Sequence, residues 1–277
     1  MRRDDDEFDD EFDEDEFDGG ALDELDAFGP RGLAFGIVLV APLFLAYEWS
    51  LTSGLHERAI AERATTLALS VTGGVETTLR WSLLAAALLF GVWRLRQVEF
   101  ERGRAILFAL GESLLFAISL GPLLLVALRL FPVDLSVYEE AHMATTPGLA
   151  GVAYLFGCAA WEECLVRLGV FSAVYLLVSR SIQFLGGPRG LAGFFADAVA
   201  LLLSALAFAA LHLDQVADVV GARGEAFDTH VFLWRTLAGL ALGGIYRWRG
   251  FGVGAWTHAF YNLGFALGAS PAVFLVR

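Results

Sequence analysis

Lysine is absent: all 19 basic residues of the 277-residue chain are arginine, a bias that by itself carries no mechanism. Cysteine is nearly absent. Cys158 and Cys164 stand six positions apart on one expected helix, a rise of about 9 Å and beyond disulfide reach. That pair excludes a disulfide framework and a zinc-ribbon spacing. No His-Glu-x-x-His occurs, so the helical zinc-protease signature is missing. The N-terminus is acidic rather than basic-then-apolar, so no secretory signal is expected there. No period of about 20–50 residues repeats, which argues against a solenoid.

Charge is also scarce outside one end. Residues 1–32 hold 15 acids and 3 arginines, a net of −12, and the remainder holds 17 acids and 16 arginines, a net of −1. The acidity of the whole chain is thus a property of the tail, in which Glu7-Phe8, Glu11-Phe12 and Glu16-Phe17 recur in a field of Asp. Such a segment cannot bury a core and is expected to be disordered. A solvated tail and a docking segment for a protein partner both remain open.

What the chain has in abundance is apolar sequence: 57% hydrophobic residues and a mean hydropathy of +0.60. Seven segments are expected to span a bilayer, at about 33–51, 78–95, 105–131, 148–179, 194–218, 231–248 and 251–275. Helices are expected, because barrel strands would be shorter and would alternate in polarity. Residues 55–75 carry His56, Glu57, Arg58, Glu62 and Arg63; they are expected outside the bilayer as a surface helix, with an eighth span as the alternative. The expected fold is therefore all-α, a polytopic transmembrane bundle. Its parts are a tail at 1–32, N-terminal spans at 33–131 and a C-terminal domain at 148–275. Arg94, Arg96, Arg102, Arg104, Arg180, Arg189, Arg247 and Arg249 fall in alternate loops, and only Arg58, Arg63, Arg80 and Arg223 fall in the opposite set. The positive-inside rule then expects a cell-membrane protein with a cytoplasmic N-terminus. Trp49, Trp81, Trp93, Tyr246 and Trp248 read as interfacial belt residues.

Within this apolar body, Trp161-Glu162-Glu163-Cys164-Leu165-Val166-Arg167 puts three ionisable groups into one span. A charge at mid-bilayer costs roughly 2.5–3.5 kcal/mol on insertion scales, so three in one turn and a half require a reason. Glu163 and Arg167 are four apart, acid first, which favours a same-face pair. Glu162 points about 100° away and lacks that partner; it is the acid left for chemistry. Phe208-Ala209-Ala210-Leu211-His212 and His258-Ala259-Phe260-Tyr261-Asn262 place two more polar sites in later spans. Each histidine alone reads equally as a satisfied polar residue between helices. Counted along their spans, Glu162, His212 and His258 approach mid-depth without sharing a plane. Tilt, or extension of the fifth helix to Val220, would reconcile them.

These three blocks resemble the CAAX-protease and bacteriocin-processing (CPBP) family of intramembrane proteases, which includes type II CAAX prenyl endopeptidases. The pattern Glu-Glu-x-x-x-Arg, Phe-x-x-x-His and His-x-x-x-Asn is complete and in order over about 148–265. The resemblance implies an intramembrane endopeptidase acting on a membrane-associated or lipidated peptide or protein. It assigns Glu162 and His212 to water activation, His258 and Asn262 to the oxyanion, and Glu163 with Arg167 to polar support. A buried carboxylate suits a general base, and donors in a dry site stabilise an oxyanion strongly. The expected partners are the lipid bilayer and a peptide substrate, with no nucleic acid.

Alternatives stand beside this reading. Glu162, His212 and His258 form a two-His, one-carboxylate set that would suit a catalytic zinc ion; the preferred reading needs no cofactor. Cys158 shares a face with Glu162 and reads as a nucleophile or as a packed small residue. Glu112 is an intramembrane acid expected to pair with Arg129 or Arg235, and Asp197 is expected at a helix start. A non-proteolytic scaffold, a bacteriocin-immunity protein and a transporter using Glu162 and Glu163 are the rival functions.

Overall fold

A computed structural model of the protein describes residues 32–54, 56–70, 73–97, 102–131 and 148–267. The acidic tail and the end of the seventh predicted segment (268–275) lie outside the described residues. The rest is helical: α1 (Leu33–Leu51), α2 (Ile60–Leu69), α3 (Glu76–Arg96), α4 (Arg102–Leu128), α5 (Leu149–Glu163), a π-helical stretch (Cys164–Phe171), α6 (Ser172–Phe184), α7 (Arg189–Ala210), the short α8 (Asp214–Ala217), α9 (Thr229–Arg249) and α10 (Phe251–Ala266).

Among the described residues, five helical stretches are long and apolar enough to cross a membrane: α1, α3, most of α4, the continuous run Leu149–Phe184, and α7. The other two predicted spans are not among these five: α9 carries Arg235, Arg247 and Arg249, and the described part of the seventh, α10, has 16 residues. Residues 60–69 form the helix expected of the less apolar segment. Its Glu62 is fully buried, however.

Close backbone contact sets the core. A Cβ on Gly157 would lie 2.0 Å from Cβ of Tyr47, so α5 meets α1 through a glycine that leaves room for the tyrosine ring. Gly36 of α1 similarly meets Gly252 of α10, where a Cβ would fall 2.9 Å from a backbone nitrogen. Small residues let helices approach where hydrocarbon surroundings provide no hydrophobic drive. Large apolar side chains face outward on α3 and α4, among them Leu89, Trp93, Leu107, Leu115 and Val126. That is the surface a lipid-facing helix presents.

Candidate active site

Glu162 and Glu163 are the last two residues of α5, and the helix then widens into the π-helical stretch. Its closing bond runs from the N–H of Ser172 to the carbonyl of Arg167, five residues back. Wide turns of this kind recur at functional sites. Arg167 remains within 3.2 Å of Glu163, Nε to Oε2, with both side chains buried. Its Nη2 donates to the Gly239 carbonyl at 3.1 Å. That carbonyl is reachable because α9 crosses α7 at a glycine: a Cβ on Gly239 would lie 2.9 Å from Cα of Ala205. The guanidinium also lies 5.6 Å from the centre of the Phe208 ring.

Both histidines turn one nitrogen to the protein and the other to Glu162. His258 Nδ1 lies 2.9 Å from Glu163 Oε1, and its Nε2 lies 3.6 Å from Glu162 Oε2. His212 Nδ1 lies 2.9 Å from the Phe208 carbonyl, and its Nε2 lies 3.8 Å from Glu162 Oε1. A carbonyl only accepts, so Nδ1 of His212 carries the hydrogen and Nε2 is the nitrogen turned to Glu162. The Phe208 ring packs edge-on against both imidazoles, with centroids 5.3 and 5.5 Å apart.

His212 does not lie in the helix. Helix α7 ends at Ala210, and the extension to Val220 does not form; a turn intervenes before α8. Backbone pairing with the next loop fixes that turn. The Glu225 N–H donates to the His212 carbonyl at 2.8 Å, and the Asp214 N–H donates to the Glu225 carbonyl at 2.9 Å. Gly224 permits the approach, since a Cβ there would lie 2.7 Å from the Leu213 carbonyl oxygen.

These groups line a cavity of about 470 Å³ with Glu162, His212, His258 and Asn262 on its wall. His258 and Asn262, one turn apart on α10, both face it, as their spacing expects. All six motif residues are thus brought into one site: four on the cavity, with Glu163 and Arg167 packed behind. The sequence did not point to Trp234, Tyr261, Glu225 and Arg235, which also line it. Arg235 holds Glu225 in a two-pronged pair at 2.8 and 2.7 Å. These hydrogen bonds keep the Glu225 carboxyl below the usual carboxylate range. No motif marks this pair, because it depends on how the loop folds back. A larger cavity, about 600 Å³, lies near Ser172, Tyr246 and Arg247 and contains none of the motif residues.

The other candidates resolve as follows. Glu112 pairs with Arg249, through Nε at 3.1 Å and through Nη2, rather than with Arg129 or Arg235. Helix α4 runs beside the end of α9, where the arginines gather. Asp197 is not at a helix start; α7 begins at Arg189, and Asp197 bonds Arg247 at 2.7 Å. Cys158 packs beside Tyr47, Trp161 and Tyr154. The donor chemistry of Glu162, His212 and His258 suits a metal, yet among the described residues no group of three such side chains is arranged to hold an ion.

The fold and site define a class: a helical bundle with apolar spans that encloses a carboxylate flanked by two histidines. Residues 144–264 match the family model described as Type II CAAX prenyl endopeptidase Rce1-like. The match agrees with the motif resemblance, and all six motif residues fall inside it. Helices α1 to α4 precede it. No curated protein and no solved structure gives a significant match. Among the described residues, five helices are long and apolar enough for a multi-pass membrane protein.

Proposed function

We propose that the protein is an intramembrane endopeptidase that hydrolyses a peptide bond with water activated by Glu162 and His212. The observation that carries this reading is the placement of Glu162, with Nε2 of His212 and of His258 at 3.8 and 3.6 Å on a cavity wall. Both separations exceed the about 2.7–3.2 Å of a direct hydrogen bond. A water can therefore contact Glu162 and His212 together. In the proposed reaction Glu162 takes a proton from that water while the oxygen attacks the peptide carbonyl carbon. The carbonyl oxygen becomes an oxyanion, met by the Asn262 amide and by Nε2 of His258 when that nitrogen carries a proton. The intermediate collapses with cleavage of the C–N bond, and the proton held by Glu162 passes to the leaving amine. Glu163 is a positioning residue: it holds Nδ1 of His258, and Arg167 holds Glu163.

The family name makes lipidated, CAAX-type peptides the first substrates to try. The test uses purified, detergent-solubilised protein and a quenched fluorescent peptide library, half of it lipidated. Cleavage should vanish in Glu162→Ala and His212→Ala, with melting temperatures near wild type. Cleavage that survives Glu162→Ala overturns the mechanism. Activity is expected to survive EDTA and phenanthroline; loss restored by zinc would replace water activation by Glu162 with a metal centre. A well-folded wild type that cleaves nothing moves the weight to a scaffold or immunity role.

A further inference from the structure

The site is graded in exposure, and the gradient has a direction. Side-chain accessibility falls from 55% at Glu225 to 21% at His212, 15% at Glu162, 5% at His258 and 1% at Glu163, reaching 0% at Arg167. Among the described residues the cavity is therefore most open at Glu225 and Arg235, which form its lip. It is closed beyond Glu163 by Val166, Arg167 and Leu242, all essentially buried.

Helix direction says which end of the bundle the lip occupies. Helix α7 starts at Arg189 and ends just before His212, whereas α9 starts beside the lip at Thr229 and ends at Arg247 and Arg249. Helix α10 leaves that arginine end and reaches the cavity with His258 and Asn262. Arg94 and Arg96 lie in the last turn of α3, and Arg180 lies near the end of α6. The lip is at the other end. The loop that forms it carries Asp214, Asp218, Glu225 and Asp228 against a single arginine, Arg223. Arg63 of α2 donates to the Gly221 carbonyl at 2.6 Å, so the loop after α1 packs at this same end.

We propose that the cavity opens on the extracytoplasmic side of the membrane and that its substrates are peptide segments exposed there. The substrate half rests on the endopeptidase reading. The orientation half does not; it follows from the arginine distribution and the positive-inside rule.

The test starts from the full chain with Cys158→Ala and Cys164→Ala, then adds one cysteine at an exposed position. Ala226→Cys and Val219→Cys report on the lip, and Ser181→Cys reports on the arginine end. Intact expressing cells are treated with a membrane-impermeant maleimide. Ala226→Cys and Val219→Cys should label without permeabilisation, and Ser181→Cys only after it. The reverse pattern overturns the orientation. The same variants are then reconstituted in vesicles whose fluorogenic, lipid-anchored peptide is displayed on the outer surface alone. Cleavage should follow the fraction of molecules whose Ala226→Cys labels from outside. Cleavage that follows Ser181→Cys instead overturns the substrate assignment. Absent cleavage with outward labelling of Ala226→Cys refutes the peptidase reading and leaves the orientation supported.

Discussion

Among the described residues the protein buries two clusters of charge, and they are built differently. In the N-terminal part, the carboxylate of Glu62 is matched on both oxygens. Arg58 and Arg80 meet Oε1, and Tyr47 donates to Oε2 at 2.6 Å. Arg80 adds Glu48 at 3.9 Å and lies against the Trp81 and Trp161 rings. In the Rce1-like part, only one of two adjacent acids is treated this way. Glu163 has Arg167 and His258, whereas among the described residues the nearest basic side chains to Glu162 are two histidines on an open cavity. A carboxylate neutralised by arginine is fixed in charge and serves the fold. One that faces histidines and space can exchange protons. The two clusters nearly touch, since Trp161 of the first precedes Glu162 of the second.

The contrast yields measurements. Glu162→Gln should lower cleavage by about 10²–10⁴-fold, the usual contribution of a proton-transfer group, and leave the melt almost unmoved. Glu62→Gln should do the opposite, because it removes the near carboxylate from buried Arg80 and leaves only Glu48 at 3.9 Å. Removing one partner of a buried pair costs about 3–5 kcal/mol, seen as a lower melting temperature with cleavage per folded molecule retained. If Glu62→Gln abolished turnover in folded protein, the division between the clusters would fail. Glu163→Gln keeps volume but weakens the hold on His258. It should reduce kcat by about 10²-fold, the low end of a proton-transfer contribution, with little change in KM. Gly157→Ala tests the join between the halves. Overpacking against Tyr47 should destabilise by about 1–3 kcal/mol, read from thermal melts.

The smallest effect concerns pH. The hydrogen bonds from Arg235 hold the Glu225 carboxyl low, so their contribution is present at neutral pH. It fades as pH falls from the ordinary carboxylate range through the depressed value. Because the pair is partly exposed, it is worth at most about 1 kcal/mol. Melts between neutral and acid pH should show Glu225→Gln with a slightly flatter profile than wild type.

The sequence made the helical class and the floor of the site legible, for a physical reason. Charge inside apolar sequence is conspicuous, and i to i+4 spacing fixes which groups share a face. Hydropathy also counted Glu62 as a surface charge, since no window registers that Arg58, Arg80 and Tyr47 converge on it. The partner of Glu112 was misread because it depends on where α9 ends, beside α4, and the place of Asp197 because α7 starts earlier, at Arg189. The Glu163 to His258 contact was hidden for a similar reason. Spacing along one helix carries no information about a group 95 residues away.

The π-helical stretch from Cys164 to Phe171 has a consequence for the lower half of the long helix. Each π-type bond encloses one residue more than an α-type bond, so the stretch acts as a phase shift. Residues above it are clocked to Glu162 and Glu163. Those below, such as Ser172 with its hydroxyl 3.3 Å from that of Tyr246, are clocked to α9. One continuous rod thereby keeps two independent angular registers, and a single-residue deletion between Cys164 and Phe171 would force them onto one.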